Sequence, residues 1–210
     1  MAQIKKPANT HPAKDINQGK PDCVLTRQQK WDQRYQNKDL RPRACSLLEQ
    51  FQHYLPATGL ALDLACGLGG NAILLAKKGL TVSAWDFSQQ AINRLDANIA
   101  QDTLPIETKV VELFQQPPLE NSFDVIVVSY FLAGPIFNQV KQALKPNGIL
   151  FYQSHNLDSS SHGGPKNPQF LLKDQQLFEQ FKEFSVLESF ERPQHCPGKP
   201  GQSGIIVKNL

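Results

Sequence analysis

The sequence has no apolar run of the roughly 18 residues a helix needs to span a bilayer. Its opening, MAQIKKPANTHPAKDINQGKPD, lacks the apolar stretch of a secretory signal. A soluble protein that is not exported is the expectation. Cysteine is scarce: Cys23, Cys45, Cys66 and Cys196 stand far apart with no CxxC pair, which argues against a disulfide framework and offers no zinc-ligand spacing. These thiols suit a reducing cytoplasm. No metal site is expected, since the adjacent His195 and Cys196 have no further ligand type nearby. A large charge of one sign is lacking too, the net charge being +3. The basic excess sits at the front, where residues 1–43 hold ten Lys or Arg against four acids, while the remainder holds twelve against fifteen. That arm reads as a solvated tail, so neither a nucleic-acid nor a membrane partner is inferred from it. Internal repeats are absent.

The 210 residues fit one domain. Residues 1–22 are polar, carry Pro7, Pro12 and Pro21 and have no hydrophobic period, which predicts a flexible arm. A single domain over 23–210 follows. Helical stretches are predicted over 26–38 and 44–54, a helical block ending near 56 with Leu47, Leu48, Phe51 and Tyr54 on one side. From Leu60 onward, apolar strand-like runs alternate with helical periods, the pattern of an α/β, Rossmann-like, mostly parallel sheet with helices on both faces. Strands are predicted at 60–65, 81–86, 106–113, 124–132 and 149–155, with a turn at 145–148 before the last. A polar loop rich in Gly, Pro and Ser covers about 156–171, and a helix at 173–183 precedes strands near 184–191 and 204–209.

Between the first strand and its helix stands Cys66-Gly67-Leu68-Gly69-Gly70. Glycines there let a ligand approach the backbone and leave the amides at the helix start facing it. Alone the loop is weak evidence, because nicotinamide enzymes use a similar GxGxxG, and Ala72 in GLGGNA is tolerated at the final glycine. Two carboxylates narrow the choice. Asp63, inside the apolar run LALDLA, is costly to bury unless paired, and it would accept from an ammonium group but repel a pyrophosphate. Asp86 ends the second strand 23 residues later, where an acid holds the two ribose hydroxyls of an adenosine. A nucleoside cofactor without phosphates is the reading. A nicotinamide-dependent oxidoreductase and a non-catalytic binding module stay open as alternatives.

The stretch LALDLACGLGGNAILLAKKGLTVSAWDFS, with FDVIVVSYFL and LKPNGIL after it, resembles the ordered motifs of class I S-adenosylmethionine-dependent methyltransferases over roughly 31–155. WDQRY at 31–35 is similar to the entry helix of the tellurite-resistance and thiopurine methyltransferase-like bacterial subgroup. The resemblance implies a seven-stranded sheet of order 3-2-1-4-5-7-6 with strand 7 antiparallel, S-adenosyl-L-methionine as cofactor, and in-line methyl transfer to a small-molecule acceptor. It further implies that Gly67 and Gly69 pass beneath the methionyl part, with Ala65 beside them. Asp86 would take the ribose, Phe87 the adenine face, and Ser129, Tyr130 and Phe131 the sulfonium end. At the end of strand three, where the family often has an Asp for the adenine amino group, this chain departs with Glu112 and Leu113. The absence of an Asn/Asp-Pro-Pro-Tyr/Phe motif where SYFL stands argues, by the same comparison, against nucleobase or glutamine nitrogens as acceptors. A soft sulfur, selenium or tellurium nucleophile or a carboxylate fits better.

His155, ending the fifth strand on the rim where open α/β sheets bind substrates, is the one weak candidate for a catalytic base, and it is equally suited to tying down the polar loop. His162 is a candidate substrate contact or loop surface. Cys66 needs only to be small. Trp31 and Tyr35, one helical turn apart, fit packing better than a cofactor lid.

Overall fold

The computed structural model describes residues 26–37, 40–161, 164–192 and 201–210. The predicted arm at 1–22, Cys23, His162 and the His195-Cys196 pair lie outside the described residues. A seven-stranded sheet forms the centre, built from β1 (Leu60–Leu64), β2 (Thr81–Asp86), β3 (Ile106–Val110), β4 (Phe123–Ser129), β5 (Leu144–His155), β6 (Ser185–Arg192) and β7 (Gln202–Lys208). Its order is β3-β2-β1-β4-β5-β7-β6. The first five strands run parallel, and β7 is antiparallel to both β5 and β6. This is the topology the resemblance implied.

Both faces of the sheet are buried, which is why β4 reads as an unbroken apolar run. Val125 and Val127 point into one core and Ile126 and Val128 into the other, the alternation a pleated strand imposes. The first core is covered by α2 (Ser46–Gln50), α3 (Gly70–Lys77) and α4 (Gln89–Ile99), with Leu47, Leu75, Ile92 and Leu95 inside it. The second is covered by α5 (Ile136–Ala143) and α6 (Gln176–Gln180) through Ile136, Phe137, Val140 and Leu177. Burying each such side chain contributes about 1.5–3 kcal/mol. Asp63 shares its side of β1 with Ala61, so its carboxylate points at the layer holding α3. Helix α1 (Arg27–Tyr35) buries none of its residues in this core. Among the described residues no helix is long and apolar enough to cross a membrane.

Several elements differ in extent from the sequence expectation, each for a local reason. Strand β3 stops at Val110 rather than 113, because the chain turns at Glu112, whose carbonyl accepts from the Gln115 and Gln116 amides at 2.9 and 3.0 Å. Strand β4 stops at Ser129 rather than 132, since Tyr130 takes a left-handed φ of 55° that breaks the pleat. The turn expected at 145–148 is absorbed into β5 as an irregularity, with Asn147 at φ 64° and its amide on the Asn209 carbonyl. The helices predicted at 44–54 and 173–183 are single turns at 46–50 and 176–180, the first followed by a short 3-10 turn at 52–54. The polar loop is partly ordered by 3-10 turns at 157–161 and 168–170 and by an Asn156–Leu172 bridge.

Candidate functional site

Strand order reverses between β1 and β4, and in open α/β sheets the crevice at the carboxyl ends of such a pair is where ligands bind. Here both strand ends carry backbone strain. Ala65, just after β1, has φ 58°, and Tyr130, just after β4, has φ 55°. Non-glycine residues held in this region cost on the order of 1–3 kcal/mol and cluster at functional sites. Between Ala65 and α3 runs the glycine loop. Gly69 caps α3 at φ 76°, and a Cβ there would stand 2.3 Å from a Leu95 methyl, so the loop is pressed against α4.

The α3 cap has no side-chain hydrogen bond of its own. Asp63 supplies one from below: its Oδ2 accepts from the Ala72 amide at 3.0 Å and its Oδ1 from Asn71 Nδ2 at 3.2 Å. Burial nonetheless pushes the Asp63 carboxyl up to about 7, the two hydrogen bonds opposing the shift and the Asp86 charge adding to it. Asp86 accepts from the Gly67 amide on Oδ2 and the Ser88 amide on Oδ1, both at 2.9 Å. Its carboxyl is also raised, by burial against those same hydrogen bonds. A carboxylate offers about four lone-pair positions, so Asp86 retains one on each oxygen for a pair of ribose hydroxyls.

Asn71 is the hub that sequence reasoning missed. Besides Asp63, its Nδ2 reaches Ser129 Oγ at 2.9 Å, and its Oδ1 accepts from the Cys45 amide at 2.8 Å, so one side chain ties β1, β4 and the entry to α2. A polar residue just after the glycines, opening a helix that packs on the sheet, was the available signal.

Helix α1 roofs the crevice. Tyr35 lies over the glycine loop so closely that a Cβ on Gly67 would stand 2.8 Å from its hydroxyl, and burial, with the Asp86 charge second, raises its phenol well above the ordinary range. Tyr35 therefore meets the loop as well as stacking on Trp31, whose ring centroid is 5.8 Å away. Polar contacts hold the roof down. Asp32 Oδ1 accepts from Ser88 Oγ and the Gln90 amide, and Gln28 donates to the Phe87 carbonyl. Arg94 donates to the carbonyls of Tyr35, Asn37 and Leu40. At the adenine end, the Arg27 guanidinium lies 5.0 Å from the Phe87 ring centroid and 5.9 Å from that of Phe114. Glu112 is half-buried in the turn after β3, while Leu113 is buried against the second core.

On the acceptor side, His155 Nδ1 lies 3.2 Å from Ser159 Oγ and the ring centroid 5.0 Å from that of Tyr130. Burial lowers its titration, with the Arg34 charge adding to the effect and a contact to the Gly201 backbone opposing it, so the imidazole is neutral near pH 7. These contacts tie His155 to the 157–161 turn. Cys66 is buried with its thiol raised, which removes it as a nucleophile. Among the described residues no cluster of metal-ligating side chains occurs.

Residues 61–148 match the family described as methyltransferase domain. In this stretch the chain is similar to class I S-adenosylmethionine-dependent methyltransferases. Demethylmenaquinone methyltransferase of Lactobacillus johnsonii is 29% identical over 141 residues, covering 62% of this chain and 55% of that one. The chain spans about half the length of the curated relatives it matches. Among solved structures, an S-adenosylmethionine-dependent methyltransferase from Aquifex aeolicus superposes with a TM-score of 0.66 at 16% identity, covering 85% of this chain and 98% of its own. TehB from Haemophilus influenzae gives 0.65 at 18% identity, covering 87% and 67%. At these identities the structures establish the shared fold, and the resemblance to the tellurite-resistance subgroup goes no further than that. S-adenosylmethionine is the family's cofactor. The donor set of this chain fits it: two spare acceptor positions on Asp86 for a ribose, a buried carboxylate at Asp63, and a first-turn α3 amide already taken by Asp63 where a phosphate would bind.

Proposed function

We propose that the chain transfers the methyl group of S-adenosylmethionine to a small-molecule acceptor by in-line displacement. The observation that carries the reading is the pair Asp63 and Asp86 at the carboxyl ends of adjacent strands, both buried and both bound to the glycine loop or the helix it opens. In this reading Asp86 takes the ribose hydroxyls on its remaining lone pairs. Phe87, Glu112 and Leu113 flank the adenine, Glu112 replacing the shorter acid common in the family. Ala65, Gly67 and Gly69 present backbone to the methionyl part, Asp63 receives the ammonium directly or through water, and Ser129 with Tyr130 faces the sulfur. When bound, the cofactor supplies a methyl group on a sulfonium, a leaving group that needs no activation. The protein's work is then to align the acceptor and exclude water, a task for the α1 roof and for the turn at 157–161 beside His155. The displacement itself demands no acid or base; only an acceptor that carries a proton does.

The Asp63 to Ala72 hydrogen bond disfavours the nicotinamide reading, since a pyrophosphate would compete with a carboxylate for that amide. S-adenosylhomocysteine is expected to raise the melting temperature while NAD and NADP leave it unchanged; protection by NAD alone would overturn the proposal. Release of S-adenosylhomocysteine from S-adenosylmethionine across a panel of small acceptors separates an enzyme from a binding module that keeps the pocket and transfers nothing.

A further inference from the structure

A chain of amides converges on the hydroxyl of Tyr130, and its polarity is fixed at one end. The Leu47 backbone amide, which only donates, lies 2.8 Å from Gln153 Oε1. Ser46 Oγ shares the same oxygen at 3.3 Å. Gln153 is fully buried, so this bond sets its orientation and turns its Nε2 outward. That nitrogen donates to Tyr130 Oη at 3.1 Å and to Gln202 Oε1 at 2.8 Å. Accepting there in turn orients Gln202, whose Nε2 donates to the same Tyr130 Oη at 3.3 Å. Two N–H groups thus point at one phenol oxygen. Hydrogen bonds donated to an oxygen favour its anionic form over its neutral one.

Tyr130 stands where such an oxygen is useful. It follows β4 directly at the switch point, its amide is tied to the Gln153 carbonyl at 2.8 Å, and the residue remains 46% exposed at the crevice rim. Among the described residues His155 on β5 faces it, with the Arg34 charge of α1 acting on that ring in turn.

Resting on the methyl-transfer reading above, we propose that Tyr130 takes the proton of the methyl acceptor, which is therefore a protic nucleophile: a thiol, hydroxyl or amine. In the step, the acceptor's heteroatom–hydrogen bond breaks and its proton passes to the Tyr130 oxygen. The freed electron pair forms the bond to the methyl carbon, and the carbon–sulfonium bond breaks with its electrons left on sulfur. The phenolate and the sulfonium charge are both neutralised. Gln153 and Gln202 are positioning residues.

The chain has four tyrosines, and the other three resist ionisation: burial raises Tyr35 and Tyr152, and the hydrogen bond to Glu188 raises Tyr54. An alkaline titration of tyrosinate absorbance on the full chain therefore isolates Tyr130. The first tyrosinate to form in the wild type is expected to vanish in Tyr130→Phe and to move to higher pH in Gln202→Leu. Its survival in Tyr130→Phe, or an unmoved transition in Gln202→Leu, overturns the proposal. This readout needs no cofactor, so failure of S-adenosylmethionine to bind would sink the methyl-transfer reading by a separate route. With 2-mercaptoethanol as acceptor, Tyr130→Phe is expected to lower kcat by about 100-fold, the lower bound for a general base. With dimethyl sulfide, which has no proton to lose, the fall in Tyr130→Phe is expected to be clearly smaller than with the thiol; an equal fall with both contradicts the proposal. An unchanged thiol rate contradicts the proposal, and the titration decides it whether or not either probe is turned over.

Discussion

The carboxylate of Asp63 caps α3 across the chain, accepting from the Ala72 amide at 3.0 Å, although the two residues belong to different elements. The same bond positions the glycine loop and withholds from any phosphate the amide it would seek. It also places an acid in a fully buried site where its carboxyl is pushed up to about 7 from an ordinary 3.8.

That raised value makes stability depend on pH in a definite direction. The unfolded chain ionises Asp63 near 3.8 and the folded protein only near 7, so the stabilising contribution is fully present below pH 3.8 and is lost as pH rises to about 7. The loss is on the order of 4 kcal/mol at a shift of about three pH units. Urea midpoints measured from pH 4 to 8 should show this slope in the wild type and a flatter profile in Asp63→Asn. Parallel profiles would place the shift elsewhere.

The α1 roof buries no side chain in the core and is held by Asp32, Gln28 and Arg94 through polar contacts at its margin. Segments held this way open at low free energy. Asp32→Ala is expected to speed release of S-adenosylhomocysteine by roughly three- to tenfold, as loss of one partly exposed hydrogen-bonding carboxylate implies. Stopped-flow dissociation measures it, and an unchanged off-rate would mean that α1 does not gate the crevice.

Gly69→Ala tests the loop itself. A left-handed φ of 76° and a Leu95 methyl 2.3 Å from the added carbon combine backbone strain with overpacking. A loss of roughly 2–4 kcal/mol is expected in denaturant unfolding. Stability within 1 kcal/mol of wild type, on the order of a routine substitution, would show that the loop relaxes freely.

Much of this was legible in the sequence because it rests on local chemistry. The strand-forming run DVIVVS announced a strand buried on both faces, and LALDLACGLGG placed an acid and a glycine turn at the end of β1. The sheet order came with the resemblance and the structure bears it out. What escaped depends on contacts between distant segments. Nothing near Asn71 announces that it meets Ser129 and Cys45, residues 58 and 26 positions away. Tyr35 looked like simple packing beside Trp31, because its approach to Gly67 is set by how α1 docks on α4. Strand ends were overrun at Val110 and Ser129 because a turn closed on the Glu112 carbonyl and a left-handed Tyr130 stop the strands where residue type alone would continue them.

Asp86 is where the cofactor assignment is most exposed, since its two oxygens already serve Gly67 and Ser88 and must still accept a ribose. Calorimetric titration of S-adenosylmethionine into the wild type and into Asp86→Ala is the decisive comparison. Saturable one-to-one binding to the wild type, weakened at least about 100-fold in Asp86→Ala as loss of two charge-assisted hydrogen bonds implies, is the expected result. No heat of binding to the wild type, or equal affinity in both proteins, would contradict the placement of the cofactor between β1 and β2.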